Sequence, residues 1–300
     1  MPRPLTQSLI EEWVSITKGQ FNLRDIWNEI GIDSSEGKKH LKTILDRIEG
    51  KGIITHLEKG YGNYRRVDNE ATKMDWENAD PGNTVPLLFP FGEHEFVKIF
   101  PKSIIIVAGS KQAGKTEYLY NFIKLNMAKY PIDLFNSETG PEQMKERFVS
   151  LDITPSPTFN VYERYDNYAD VINPDHISVI DYLDLNSEVY LVGSEIDAIF
   201  RKLRSVAIIA LQKPPPAVTY IKGVKKVIER DLAYGGGFTA KRAILYITMG
   251  QSSLKLLYVK SPAQKTINPQ NMTWTFNFSE EGHFTNIQRS YGSYGDFKEG

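Results

Sequence analysis

The chain has 300 residues, 36 basic against 37 acidic side chains, a formal net charge of −1 and no cysteine. Near-neutrality excludes a whole-molecule field that draws in nucleic acid, so any such surface must be a local patch. The missing thiols exclude disulfides, thiolate metal sites and cysteine nucleophiles, and 41% hydrophobic with 24% charged residues is the composition of a globular protein with sizeable cores.

The start, Met1-Pro2-Arg3-Pro4, leads into mixed polarity and not into an apolar leader. The longest apolar runs, such as Ile104 to Val107, are strand-sized, so the expectation is a cytoplasmic protein with no membrane segment. Residues 1–68 read as three helices and a hairpin. Leu9, Ile10, Trp13, Val14 and Ile16 recur at helical spacing; a second helix runs from about Leu23 to Ile30; Asp33 or Ser34 caps a third, with Leu41, Ile44, Leu45 and Ile48 inward. A strand over 52–57, a turn at Gly60-Tyr61-Gly62-Asn63 and a strand over 64–67 follow. Residues 69–85 are polar and aperiodic, with the breaker Asp80-Pro81-Gly82-Asn83, and read as a linker.

From 86 to 290 short apolar strands alternate with helices, which predicts an α/β fold: a mainly parallel sheet with helices on both faces. Strands are expected at 103–108, 132–136, 158–162, 177–180 and 205–211, with helices at 116–129, 141–148 and 193–203 between them. Strands at 243–249, 255–259 and 274–278 follow one another with turns, as an antiparallel extension. Residues 291–300 read as a frayed tail.

The strongest motif is Gly109-Ser110-Lys111-Gln112-Ala113-Gly114-Lys115-Thr116, a complete G-x-x-x-x-G-K-T between an apolar strand and an amphipathic helix. Such a loop turns backbone N–H groups around phosphates, and the helix N-terminus adds partial positive charge. Lys115 is positioned to bridge the terminal phosphates of ATP and Thr116 to hold Mg²⁺. The run Ile177 to Ile180 ends in Asp181, a strand-end carboxylate suited to the same Mg²⁺ or to capping a following helix.

Two segments resemble winged-helix proteins and replicative hexameric helicases of the DnaB type, members of the RecA-like ATPase superfamily. Residues 1–68 have the element order of a winged helix. Ile180-Asp181-Tyr182-Leu183-Asp184-Leu185 resembles the helicases' I-D-Y-L-Q-L segment, and Asn136-Ser137-Glu138-Thr139-Gly140-Pro141-Glu142-Gln143 their S-x-E-M-x-x-E-Q run. The resemblance, over roughly 97–278, implies that Glu138 polarises the attacking water and that Gln212 senses the γ-phosphate. The alternative for Glu138 is a loop carboxylate or helix-start charge, and for Gln212 a surface polar residue at a strand end, with the family roles favoured. The family's trans-acting K-x-R pattern maps to Lys260-Ser261-Pro262, so the lysine is kept and the arginine position is proline.

DNA contact, single-stranded or duplex, is expected at two places. The resemblance puts the DNA loops after Gln212, where Lys213, Lys222, Lys225, Lys226 and Arg230 lie beside Tyr220. On the first segment, Lys38, Lys39 and Lys42 occupy the third helix, with Arg65 and Arg66 on the wing. Both sets read alternatively as solvated charge, or the first segment as a protein-docking module. The functional expectation is an ATP- and Mg²⁺-dependent, DNA-processing motor for replication or recombination, assembled as a homo-oligomeric ring or filament. The alternative is a nucleotide-gated loader or mediator that binds DNA without unwinding it.

Overall fold

A computed structural model of the chain describes residues 5–17, 19–57, 62–69, 71–183, 191–221 and 224–290, with the side chains of 219–228 excepted. Lys222, Asp184, Leu185, the turn residues Gly60 and Tyr61, and the 291–300 tail therefore lie outside the described residues. The chain forms two compact units, Met1–Ala79 and Asp80–Gly300.

The first unit contains helix α1 (Gln7–Ile16), strand β1 (Gln20–Asn22), helices α2 (Leu23–Ile30) and α3 (Ser35–Gly50), and strands β2 (Ile54–His56) and β3 (Asn63–Arg66). Local chemistry sets the helix starts. The Asn22 side chain accepts from the N–H groups of Arg24 and Asp25 while Asp25 accepts from the Asn22 N–H, a reciprocal capping box. Ser34, rather than Asp33, caps α3 by accepting from the Gly37 N–H at 3.0 Å. The apolar faces close on one core of Ile10, Val14, Ile26, Leu41, Leu45 and Ile48. Two expectations change. Ile16 is 74% exposed, because it falls in the last turn, beyond the stripe that packs inward. A third strand, β1, joins the hairpin to give the order β1-β3-β2; three residues are too few to show a period in sequence.

The second unit is α/β. Its strands are β4 (Ser103–Gly109), β5 (Ile132–Asn136), β6 (Phe159–Glu163), β7 (Ile177–Asp181), β8 (Val206–Gln212), β9 (Ala217–Ile221), β10 (Val224–Ile228), β11 (Ala243–Met249), β12 (Ser253–Val259), β13 (Thr273–Phe278) and β14 (Phe284–Ser290). Its helices are α4 (Lys115–Asn126), α5 (Pro141–Ser150), α6 (Val192–Lys202) and the short α7 (Gly237–Ala240). One nine-stranded sheet runs β14-β13-β12-β11-β4-β8-β7-β5-β6, parallel from β11 to β6 and antiparallel from β11 to β14.

Both faces of the parallel part are covered, which is why β4, β5 and β7 are buried throughout. Ile105 and Val107 point into a core with Leu119, Phe122 and Ile123 of α4, and Ile104 and Ile106 into a second with Ile196 and Ile199 of α6. Val85, Leu87 and Phe89 already belong to the first core, and the Val85 N–H donates to the Ile99 carbonyl at 2.7 Å. Among the described residues, β9 and β10 pair antiparallel with each other in a two-stranded sheet of their own. Among the described residues, no helix is long and apolar enough to cross a membrane.

Candidate nucleotide site

The loop 109–116 joins β4 to α4 at the edge where the parallel strands end. Gln112 at φ 62° and Gly114 at φ 86° make the reversal; a side chain at Gly114 is also sterically refused, since a Cβ would stand 2.7 Å from Phe278 Cζ. Lys115 folds its ammonium back over the loop, donating to the carbonyls of Ser110 at 3.2 Å and Gly109 at 3.4 Å. Ala113 is buried and anchors the loop, while Lys111 and Gln112 are exposed at its rim.

Two strands away, β7 delivers Asp181 to the same edge. Its carboxylate is 1% exposed and accepts from the Thr116 hydroxyl at 3.3 Å. Burial raises its pKa to about 6 and the charge of Glu138 adds to this, while the Thr116 hydrogen bond and the nearby Lys115 and Arg147 work the other way. Burial lowers the Lys115 pKa, opposed by Asp181 and Glu138 and reinforced by Lys213. A hydroxyl and an ionisable carboxylate, both oxygen donors, suit two of the six positions around Mg²⁺, whose remaining ligands are commonly water and phosphate.

Glu138 is exposed on the loop after β5, and that loop is built around Asn136. The Asn136 amide donates to the Thr139 carbonyl at 2.6 Å, and its oxygen accepts from the Thr139 hydroxyl at 3.0 Å and from the N–H groups of Thr139 and Glu138 at 3.3 and 3.4 Å. The loop is tied to β7 as well: the Ser137 N–H donates to the Asp181 carbonyl at 3.0 Å and the Ser137 hydroxyl to that of Tyr182 at 2.8 Å. Gln212 ends β8 in register with Gly109, at the mouth of the loop. A hollow of about 740 Å³ between α5 and β6 touches Glu138 but is walled by Met144, Phe148, Phe159 and Val161. The phosphate-binding geometry lies instead at the loop after β4, where Lys115 and Thr116 stand beside Asp181.

The remaining expected residues fall elsewhere. Lys213 is not on a DNA-facing surface: it is 5% exposed and donates to the Thr248 hydroxyl at 3.1 Å, because its backbone N–H continues the pairing with Gly109 and turns the side chain inward. Lys225 and Lys226 lie on the strand β10, not on a helix, and their side chains are outside the described set; Arg230 follows it, exposed. Lys260 sits at the opposite end of the sheet, its N–H donating to the Ile244 carbonyl while Met249, five residues on, pairs with Gly109. That is roughly 16 Å of strand, so Lys260 does not join the loop of its own chain. In the first unit Lys39, Lys42, Arg65 and Arg66 are exposed, and Lys38 lies 4.7 Å over the Trp27 ring.

Sequence reasoning missed three neighbours of the loop. Arg147 of α5 acts electrostatically on Asp181, and Phe278 and Phe284 pack against Gly114. None carries a motif; each reaches the loop from far along the chain.

No family model matches the chain, and no curated protein matches it. Among solved structures it is similar to the RadB recombinase, with 13% identity, a TM-score of 0.41, and coverage of 61% of this chain and 90% of that one.

Proposed function

We propose that this chain is a Mg²⁺-dependent ATPase of RecA-like type whose hydrolysis is coupled to DNA. One observation carries the reading: β4, β7 and β5 end at a single sheet edge, bringing together Lys115, Thr116, Asp181 and Glu138. This is the set that in-line phosphoryl transfer to water requires.

The loop N–H groups and the start of α4 bind the phosphates, and Lys115 exchanges its two carbonyl acceptors for β- and γ-phosphate oxygens. Mg²⁺, held by Thr116 Oγ1 and the Asp181 carboxylate, would supply charge neutralisation when bound. Glu138 accepts a proton from a water whose oxygen forms the new bond to the γ-phosphorus; the bond to the β,γ-bridging oxygen breaks and ADP leaves. Gln212, which ends β8 in register with Gly109 and precedes β9 in the chain, would report the state of the γ-phosphate to β9 and β10. β9 and β10, with Lys225 and Lys226 on β10, are the proposed DNA element. The first unit, with its α1-β1-α2-α3-β2-β3 order, is the proposed winged-helix adaptor for DNA or a protein partner.

Lys260 would serve only a neighbouring copy's site, which implies a ring or filament. The proline at 262 favours a second reading, a nucleotide-gated loader or mediator, because the second trans-acting cation is absent from that place. Strand displacement on a forked duplex separates the two: a motor displaces, a switch does not. The primary test is steady-state ATP hydrolysis without DNA, with single strands and with duplex, for wild type and Lys115→Ala. DNA should raise the wild-type rate several-fold and Lys115→Ala should abolish it. Hydrolysis indifferent to DNA removes the DNA coupling, and no hydrolysis by wild type removes the enzyme.

A further inference from the structure

The sheet order gives a bound nucleotide a direction. The groups that act on the terminal phosphate, Asp181 on β7 and Glu138 after β5, both lie on one side of the loop-bearing strand β4. A nucleoside triphosphate with its γ-phosphate toward them must carry its nucleoside toward the other side, where β11, β12, β13 and β14 continue the sheet.

On that side the tip of the β13–β14 hairpin meets the loop. Phe278 Cζ and Phe284 Cε1 stand 2.7 and 3.1 Å from the Cβ position of Gly114, so both rings lie against the last glycine of the loop. The tip is a preformed turn: the Ser279 N–H donates to the His283 carbonyl at 2.8 Å, and the His283 N–H to the Ser279 hydroxyl at 3.1 Å. It is fastened to the first turn of α4, with His283 Nδ1 3.0 Å from Glu117 Oε1 and the Asn121 amide donating to the same oxygen at 2.9 Å. Behind it, Phe276 is 2% exposed and packs edge-on to Phe278 and Phe284, with Phe91 stacked upon it. Phe276 and Phe91 thus belong to the core, but Phe278 remains 38% exposed beside the loop.

We infer that the β13–β14 hairpin is the nucleobase platform of this site, with the exposed face of Phe278 stacking a planar base and the His283–Glu117 contact holding the tip in place. The inference rests on the loop being a nucleotide site. A phenyl face carries no hydrogen-bond code, so selection follows ring area: purine triphosphates bind more tightly than pyrimidine ones, with little distinction between adenine and guanine.

The test compares dissociation constants of ATP, GTP, CTP and inorganic triphosphate, each with Mg²⁺, for wild type, Phe278→Ala and Phe278→Tyr. Wild type should bind ATP and GTP about tenfold more tightly than triphosphate, in the range expected for one stacked base. Phe278→Ala should bring ATP down to the triphosphate value while leaving triphosphate itself unchanged, and Phe278→Tyr should restore ATP. Unchanged ATP binding in Phe278→Ala overturns the platform alone. Loss of triphosphate as well in that variant makes Phe278 a packing support for the loop and overturns it too. If wild type binds neither ATP nor triphosphate, the nucleotide site itself falls, and the platform with it.

Discussion

Glu93 is a carboxylate with no exposure, held in a 3-10 turn (Glu93–Glu95) that packs on α4 through Tyr118. Tyr118, on the first turns of α4, donates its hydroxyl to Glu93 Oε1 at 2.8 Å, and the Phe91 N–H donates to Oε2 at 2.9 Å. Burial raises its pKa from 4.5 to about 7 in spite of these donors, which favour the ionised form. Below pH 4.5 both folded and unfolded chains carry the proton and no difference arises. Between 4.5 and about 7 the unfolded chain releases it while the folded chain keeps it, so stability falls as pH rises through this window. A shift of roughly 2.5 units at 1.36 kcal/mol each makes the loss on the order of 3 kcal/mol, complete above pH 7. Glu93→Gln keeps the shape and an acceptor for the Phe91 N–H, turns its amide toward the Tyr118 oxygen, and cannot ionise. Urea unfolding followed through Trp274, 2% exposed, in a background with Trp13, Trp27 and Trp76 replaced by phenylalanine, reports on the second unit. The variant should gain about 2.5 kcal/mol relative to its parent between pH 5 and pH 8. A difference that stays flat across that range would refute the reasoning, because all other titrating groups are common to both chains.

Three further outcomes follow from the site. A proton and Mg²⁺ compete for Asp181, so Mg²⁺-dependent ATP affinity should fall toward tenfold per pH unit below about 6; in Asp181→Asn, titration calorimetry should show only the nucleotide's own, shallower dependence. Asn136→Ala removes the acceptor and donor that shape the Glu138 loop and should lower kcat at least tenfold with the ATP dissociation constant within twofold; a loss confined to binding would place the role of Asn136 elsewhere. Gly114→Ala forces a Cβ into left-handed backbone, costing about 1–2 kcal/mol, and against Phe278. Calorimetric melting should drop by several degrees, and adding Phe278→Leu should recover the steric part only.

How much of this is legible in sequence depends on whether the signal is local. Residues 103–116 announce strand, turn and helix together, because a strand covered on both faces must be apolar throughout and its loop must be glycine-rich to bend around phosphates. Asp181 is legible for the same reason, as the polar end of an apolar strand. Glu138 is not: its role came from resemblance, and the hydrogen bonding of Asn136 that shapes its loop is a tertiary fact. The pairing of β9 with β10 is not legible, because the lysines of 224–228 mask the β-forming Val218, Thr219, Tyr220, Ile221, Val224, Val227 and Ile228 and leave the reading of a basic loop. β14 was missed because its burial is slight and its register comes from β13 alone.

Lys213 and Lys260 show a harder limit. Both follow the end of a strand, where one more residue of pairing decides which way a side chain points and which end of the sheet it serves. For Lys213 the extra pairing to Gly109 turns the ammonium into the interior, against a cost of burial that lowers its pKa. For Lys260 the antiparallel turn between β11 and β12 sends the chain back to the far edge. A trans-acting residue must be remote from its own loop, so this placement is what a shared site requires, yet no spacing along the chain could express it. A second reversal, between β12 and β13, returns the chain to the loop edge, where β13 ends in Phe278 and the β13–β14 tip carries His283, more than 160 positions after Gly114. Counting antiparallel reversals after β11 therefore sorts the C-terminal ends of the strands: a strand ends away from the loop after an odd number of reversals and beside it after an even number.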